Sequence, residues 1–377
     1  MSKDSASYEP AVVHATWLQP AAEARPGRAR ISPKQWLKRG ALVLLAVLLL
    51  SGGFIGWQVY KNASKLAGSS NPLKILSSFT PTTLKQTNGR INILLAGYSA
   101  DDAGHQGADL TDSIMILSIN PTDKSVVMIS VPRDLYVNIP GYGYSKINAA
   151  YEYGQADHFS QAGYPAGGMG LLEDVISQDF GVQFNYYALI NYTAFKQAVD
   201  AVGGVTVTIQ STNPSGSYDP NVGLKLPNGT YTLNGDQALS LARARGDGTG
   251  SYGFASGDFD RTHHQQQLLI GLKNKASSAS VISNPLKIGA LASSIGNNVK
   301  TDLTIGDMET LYTKVKGIGA GSITSVTLNN YHDTDYLRNY TTDSGSSALI
   351  PAAGMDNYTD IQTLISTLLT PATTHTN

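Results

Sequence analysis

Twenty-one consecutive residues, Gly40–Tyr60, carry no charge and are mostly apolar. As a helix they would span roughly 31 Å, the thickness of a bilayer core. Arg25, Arg28, Arg30, Lys34, Lys38 and Arg39 lie just before the run. Basic flanks stay on the cytoplasmic side of a membrane. The pattern therefore predicts a single transmembrane helix over 40–60, a cytoplasmic tail over 1–39, and everything from residue 61 onward outside the cell. The tail is short of large apolar side chains and rich in Ala, Pro, Ser and charge, the composition of a disordered segment. A cleaved signal peptide is the rival, with Ala41–Leu50 as its apolar stretch. Its basic leader would be unusually long, and no Ala-x-Ala site follows. Both readings export the remainder of the chain.

The formal net charge of −1 gives no case for a nucleic-acid partner. Residues 61–377 hold 20 basic and 25 acidic side chains, a net charge of −5. The chain has no cysteine, which excludes disulfides, thiolate metal sites and a cysteine nucleophile. Of 20 tyrosines, nine fall between Tyr136 and Tyr192. Such rings suit stacking on sugars, and half-buried strands collect them too.

Residues 61–88, rich in Ser, Thr, Asn and Lys, read as a membrane-proximal linker, and 89–370 as one folded domain. Apolar runs at Ile91–Ala96, Ser113–Ile119 and Ser125–Val131 read as strands, the last two joined through Asn120-Pro121 as a hairpin. Asp101, Asp102, His105 and Asp109 crowd the loop after the first strand. Asp112 stands at the start of the second, close to the ends of the first and third if these pair antiparallel. Leu171, Leu172, Val175, Ile176 and Phe180 mark a helix stopped by Gly181, and Phe184–Ile190 a strand. Asn191 and Asn234 are candidate N-caps of two further helices. Val205–Ile209 reads as a strand, 211–229 as a loop, and Asp258–Ala276 as a long helix. Further helices are expected over 284–295, 305–316 and 358–369, with a strand over 322–328. Alternation of strands and helices predicts an α/β fold, a central mixed β-sheet flanked by helices.

Two places bear charge where an open α/β sheet binds ligands, outside the carboxyl ends of its strands. Pro132 ends the strand ladder, Arg133 and Asp134 follow at once, and Lys146 opens the next helical stretch. On the long helix, Arg261, His264, Gln265 and Leu268 share a face by i, i+3, i+4, i+7 spacing, with Leu268, Leu269 and Leu272 making its later turns apolar. A ligand with an anionic head and a long hydrocarbon tail matches that gradient. Solvated ion pairs and an ordinary core helix are the plainer readings of the same residues.

Taken together, SVPRDLYV, SKINAAYEYG, LNGDQALSLARAR and DFDRTHHQQ, in that order behind one apolar segment, resemble the LytR-CpsA-Psr family. The resemblance implies a domain with a tunnel for a polyprenyl chain and an activity outside the cell. That activity transfers a glycopolymer from undecaprenyl diphosphate to peptidoglycan with Mg²⁺ or Mn²⁺, releasing polyprenyl phosphate. It implies Asp112 as a metal-side acid, Arg133 as the catalytic-loop arginine and Lys146 as the lysine of the KIN motif. Arg243 and Arg245 match its Arg-x-Arg pair. Asp258, Arg261 and Gln265 match the positions of the long helix. Three positions depart from the family pattern: Ser99 stands where an acid is usual, with Asp101 or Asp102 as its replacement, and Leu110 and His264 stand where arginines are usual.

The expected roles are then catalysis by Arg133, Arg243, Arg245 and Arg261, with Asp134 orienting Arg133 or acting as base. Lys146, Asp258, His264 and Gln265 bind substrate, and Asp112 with Asp101 holds the metal. The attacked diphosphate ester spreads charge over its non-bridging oxygens, which guanidinium groups and a cation stabilise. Two other activities share these residues: a polyprenyl diphosphate hydrolase, and a lipid- or wall-binding protein without turnover. The membrane expectation has a direct check. In intact cells, residues 1–39 should resist external protease while 61–377 become cleavable once the wall is opened; a shortened soluble product in the medium would indicate signal cleavage instead.

Overall fold

The computed structural model describes residues 82–99, 101, 109–276, 298–315, 318 and 322–370. The expected tail, membrane helix, first part of the linker, Asp102, His105 and the helix over 284–295 lie outside these residues. Among the described residues, no helix is long and apolar enough to cross a membrane.

The chain opens with strands β1 (Ile91–Tyr98), β2 (Thr111–Asn120) and β3 (Ser125–Val131), then a hairpin of β4 (Tyr136–Ile139) and β5 (Gly143–Lys146). Helices α1 (Ala150–Ala156) and α2 (Gly168–Phe180), strand β6 (Tyr186–Asn191) and helix α3 (Tyr192–Ala201) follow. Next come β7 (Val205–Ile209), β8 (Ser217–Asp219), β9 (Leu224–Leu226), β10 (Gly229–Leu233), and helices α4 (Gly235–Arg243) and α5 (Asp258–Ala276). The remainder is β11 (Val299–Thr301), α6 (Ile305–Val315), β12 (Ile323–Thr327), the hairpin β13 (Leu337–Thr341) and β14 (Ser347–Pro351), and α7 (Thr359–Leu369).

Six strands form the central sheet in the order β11-β6-β1-β2-β3-β12. It is mixed: β1 runs antiparallel to β2 and parallel to β6, β2 antiparallel to β3, and β3 parallel to β12. The β2–β3 turn is held by Asn120, whose side-chain oxygen accepts from the N–H groups of Thr122 and Asp123 at 2.9 and 3.0 Å. This pairing brings the ends of β1, β3 and β6 and the start of β2 to one edge of the sheet.

Alternation along the strands builds two cores. Leu94, Ala96, Ile114, Ile116, Val127 and Ile129 face α2 and α7. Ile93, Leu95, Met115, Leu117 and Met128 face the other way, towards Leu269 of α5 and Leu311 of α6. A third cluster fills a lobe of α3, α4 and strands β7 to β10, and receives Leu268 and Leu272. Helix α5 thus serves two cores at once. Its neighbour α4 starts in a capping box, with Asn234 accepting from Gln237 N–H at 2.9 Å and the Gln237 side chain accepting from Asn234 N–H at 3.0 Å.

The structure departs from the sequence reading in three ways. The supposed linker is packed from residue 82: Leu84 is buried, and Thr82 donates to Asp307 at 2.6 Å. The stretch 211–229 is not all loop, since β8 and β9 pair within it and β10 begins at Gly229. The hairpins β4–β5 and β13–β14 have no counterpart in the sequence reading. Strands of three to five residues broken by glycine carry too short an alternation to read.

Helix α2 crosses the loop before it at very close range. A Cβ added at Gly170 would stand 1.7 Å from the Pro165 carbonyl oxygen. Alanine is the better helix former by about 1 kcal/mol, so propensity alone favours the substitution. The clash reverses the sign because backbone cannot rotate away. Gly170→Ala should cost about 1–3 kcal/mol, seen as a lower urea midpoint at unchanged m-value.

Candidate active site

A cavity of about 310 Å³ opens at the shared sheet edge, between the sheet, α3, α4 and α5. Asp112, Arg133, Arg243, Arg245, Arg261 and Gln265 line it, with Leu95, Met115, Phe195, Leu239, Leu268 and Leu269 forming much of its apolar wall. Arg261 and Leu268 lie two turns apart along α5, roughly 10 Å.

Asp112 reaches the cavity through a fault in the sheet. Gly97 pairs with Ser113 but Tyr98 pairs with Thr111, so the register shifts and Asp112 is the extra residue. In a regular strand, neighbours point to opposite faces. Here Asp112 and Ser113 both line the cavity, the re-aiming that a bulge produces. Gly97 lies opposite, where an added Cβ would come within 3.3 Å of the Ser113 Cβ.

Arg133 is the hub. Its Nη1 meets Asp112 Oδ1 at 2.5 Å, and its Nε lies 3.6 Å from Asp134 and 3.8 Å from Asp258. Burial works against the guanidinium's charge, but these three carboxylates outweigh it and hold its pKa above the ordinary value. Asp134 also accepts from Lys146 Nζ at 2.6 Å, which fits it to orient Arg133. Asp258 holds Arg261 at 3.0 Å. Arg261 is almost fully buried, which depresses its pKa below the usual guanidinium value.

The Arg-x-Arg pair is placed by the end of α4. Arg243 lies over the Tyr192 ring, 4.9 Å from its centroid. The backbone N–H of Arg245 donates to Asp219 at 2.9 Å, and its guanidinium meets Asp247 at 3.0 Å. Gln265 is spent on architecture: it accepts from the Ser113 hydroxyl at 2.9 Å and donates to the Ala242 carbonyl at 3.0 Å. It thereby ties α5 to β2 and α4.

Asp101 does not line this cavity. Its two carboxylate oxygens accept from the Tyr192 and Thr193 N–H groups at 3.1 and 2.7 Å, capping α3 alongside Asn191. Tyr192 is the residue that sequence reading missed. Its backbone is held by Asp101, its hydroxyl donates to Asp112 at 3.3 Å, and its ring carries Arg243. Burial, then the Asp112 charge, pushes its pKa up to about 12, so it remains a donor. One signal was present, since the residue after an N-cap on the strand beside β1 must fall at this edge.

His264 is corrected outright. It does not line the cavity; it is buried, edge-on to Phe254 with ring centroids 5.8 Å apart. Around the helix it lies about 60° from Arg261 and about 100° from Gln265, both of which line the site, and that rotation aims it elsewhere. Burial, with a smaller contribution from His263, lowers its pKa to about 4. It is neutral at every pH where it was expected to hold an anion.

The LytR_cpsA_psr family matches residues 55–350. This chain belongs to that family. The teichoic acid transferase TagU of Oceanobacillus iheyensis is 33% identical over 305 residues, covering 79% of this chain and 86% of that protein. Its full name is polyisoprenyl-teichoic acid–peptidoglycan teichoic acid transferase. TagU of Enterococcus faecalis is 29% identical over 267 residues, 71% of this chain and 78% of that one. Among solved structures, TagT bound to LIIa-WTA shares the fold at TM-score 0.55 and 23% identity, over 76% of this chain and 94% of the other. B. subtilis TagV does so at 0.55 and 24%, over 76% and 100%.

The His264 result gives a prediction with a definite sign. The unfolded imidazole titrates near 6.5 and the folded one near 4. The unfolded chain binds the extra proton between these values, so stability falls as pH drops from about 6.5 towards 4. His264→Gln should flatten that part of the stability profile in urea titrations. Between pH 5.5 and 8.5 it should leave the pH dependence of diphosphate binding parallel to wild type.

Proposed function

We propose that this protein transfers a glycopolymer from a polyprenyl diphosphate carrier to peptidoglycan, forming a phosphodiester link and releasing polyprenyl phosphate. One observation carries the reading: four arginines line the same cavity as a cluster of large apolar side chains. A diphosphate ester on a long hydrocarbon needs both. The names of the curated relatives agree, each being called a polyisoprenyl-linked teichoic acid transferase to peptidoglycan.

The arginines supply bidentate donors to the non-bridging oxygens, where charge builds during phosphoryl transfer. The acceptor hydroxyl oxygen bonds to the phosphorus that carries the polymer, the bond from that phosphorus to the bridging oxygen breaks, and the hydroxyl proton is released to solvent. Asp112, Asp134 and Asp258 hold Arg133 in place from three sides, so no reorganisation is required when the charge develops. The donor is already activated, and no nucleotide is needed.

A Mg²⁺ or Mn²⁺ ion fits the donor set. Asp112 is a hard oxygen donor lining the cavity, whereas Asp258 Oδ1 is already taken by Arg261 at 3.0 Å, with Arg133 3.8 Å away. Mg²⁺ takes one or two carboxylates together with phosphate oxygens. Asp112 is the residue proposed to hold it, with Asp101 acting through Tyr192 rather than as a ligand. The bound ion would neutralise part of the diphosphate charge. We further place the domain outside the cell, anchored by residues 40–60, because its two substrates meet there.

Full-length protein with a polyprenyl diphosphate-linked glycan tests this, with and without peptidoglycan. Release of polyprenyl phosphate that depends on acceptor supports the transferase; release without acceptor makes it a hydrolase; binding without turnover refutes catalysis. Arg133→Ala, Arg243→Ala and Arg245→Ala should each lower kcat by about 10²–10³ while the thermal melt is retained. Chelation should abolish wild-type turnover, and Asp112→Asn should need more Mg²⁺ for the same rate. Near-normal turnover in all three arginine variants would remove the site assignment.

A further inference from the structure

Two residues at i and i+2 on an α-helix lie about 200° apart and face opposite ways. In extended chain the same spacing puts both on one side. Arg243 and Arg245 line the same cavity. They can do so because α4 stops between them: Arg243 is its last residue, and Ala244 is extended, with ψ 127°.

The stop is held from two sides. In one further turn the Gly246 N–H would bond the Ala242 carbonyl, and the Arg245 N–H that of Leu241. Asp219, at the end of β8, accepts from both N–H groups on its Oδ2, each at 2.9 Å. Gln265 of α5 donates to the Ala242 carbonyl at 3.0 Å. Groups that would lengthen the helix are thus bound elsewhere, and the chain leaves α4 with Arg245 turned to the cavity.

Asp219 also acts on the far end of the same side chain. Its Oδ1 accepts from the Asn221 N–H at 3.1 Å. The Asn221 amide donates to Asp247 at 3.1 Å, and Asp247 pairs with the Arg245 guanidinium at 3.0 Å. These contacts close a ring: one carboxylate fixes the backbone of Arg245 directly and its guanidinium through two neighbours. Asp219 is 1% exposed and does not line the cavity. A carboxylate withdrawn from water is costly unless hydrogen-bonded, and here its partners are the backbone of the segments it joins.

We propose that Asp219 is a positioning residue for the transfer, holding Arg245 where its guanidinium meets the diphosphate. It touches no substrate and acts through Arg245. Both of its oxygens accept, so asparagine cannot replace it: in either orientation the amide sets N–H against N–H and breaks one arm of the ring. The inference rests on the transferase reading for what Arg245 binds, not for how Arg245 is placed.

Two measurements on full-length protein in detergent test this. One is turnover with polyprenyl diphosphate-linked glycan and peptidoglycan. The other, without substrate, is the rate at which phenylglyoxal modifies Arg245, mapped by mass spectrometry with the exposed Arg338 as reference. Asp219→Asn should lower kcat by about 10²-fold, the loss expected when a catalytic group shifts by roughly 1 Å. In an Arg245→Ala background it should add no further loss, because members of one network are not additive. Its Arg245 should react severalfold faster than in wild type, with Arg338 unchanged. Asn221→Ala breaks the ring at an exposed residue and should speed the same modification even where Asp219→Asn does not fold. Unchanged Arg245 reactivity in the folded variants overturns the proposal, as does a full further loss of kcat in the Arg245→Ala background. Faster modification in a protein whose wild type shows no turnover keeps the placement and refutes the transferase. Normal wild-type turnover with unchanged reactivity does the reverse.

Discussion

The geometry of the site depends on a single irregularity in strand pairing. The register shift opposite Gly97 and Tyr98 gives β2 one residue more than β1 can pair. That residue is Asp112, and the shift turns its carboxylate to the side that Ser113 already faces. From there it meets Arg133 across the sheet edge and Tyr192 at the start of α3. Without the bulge, Asp112 would sit on the opposite face of the sheet, and Arg133 would be left with two more distant acids. Bulges recur beside active sites because they alter one side chain's direction without altering the fold.

The free site is close to electrically balanced. Arg133, Lys146, Arg243, Arg245 and Arg261 face the carboxylates of Asp112, Asp134, Asp247 and Asp258. Buried cations are costly unless paired, and here the pairing partners are supplied by the same loops that present the cations. An incoming diphosphate thus meets arginines that are charged, ordered and mutually shielded. Its own charge exceeds the small positive surplus, and the proposed divalent ion would offset the difference.

Much of this was legible in the chain. The β2–β3 turn at Asn120-Pro121, the caps at Asn191 and Asn234, and the long helix over Asp258–Ala276 follow from local chemistry, and local chemistry is what a sequence displays. Arg133, Arg243 and Arg261 sit at element ends, where strand and helix signals place them at the ligand edge. The bulge at Asp112 was not legible, because it is a relation between two strands rather than a property of either. Tyr192 was hidden for the same reason: its three contacts come from three separate elements. His264 misled because i, i+3 spacing leaves it about 60° from Arg261 around the helix, enough to put it in the lobe rather than the site.

Strand β12 contributes nothing to the chemistry, yet it closes the outer edge of β3, with Ile323 to Thr327 alongside Val126 to Ser130. Close to two hundred residues separate the partners, so this contact forms late and slowly. Until then a run of apolar strand, Val126 to Val131, presents unpaired N–H and C=O groups, the template on which other chains add. A protein truncated before residue 323 would retain every proposed catalytic side chain and still fail. Its fate would be aggregation, and loss of activity would be the wrong name for the defect.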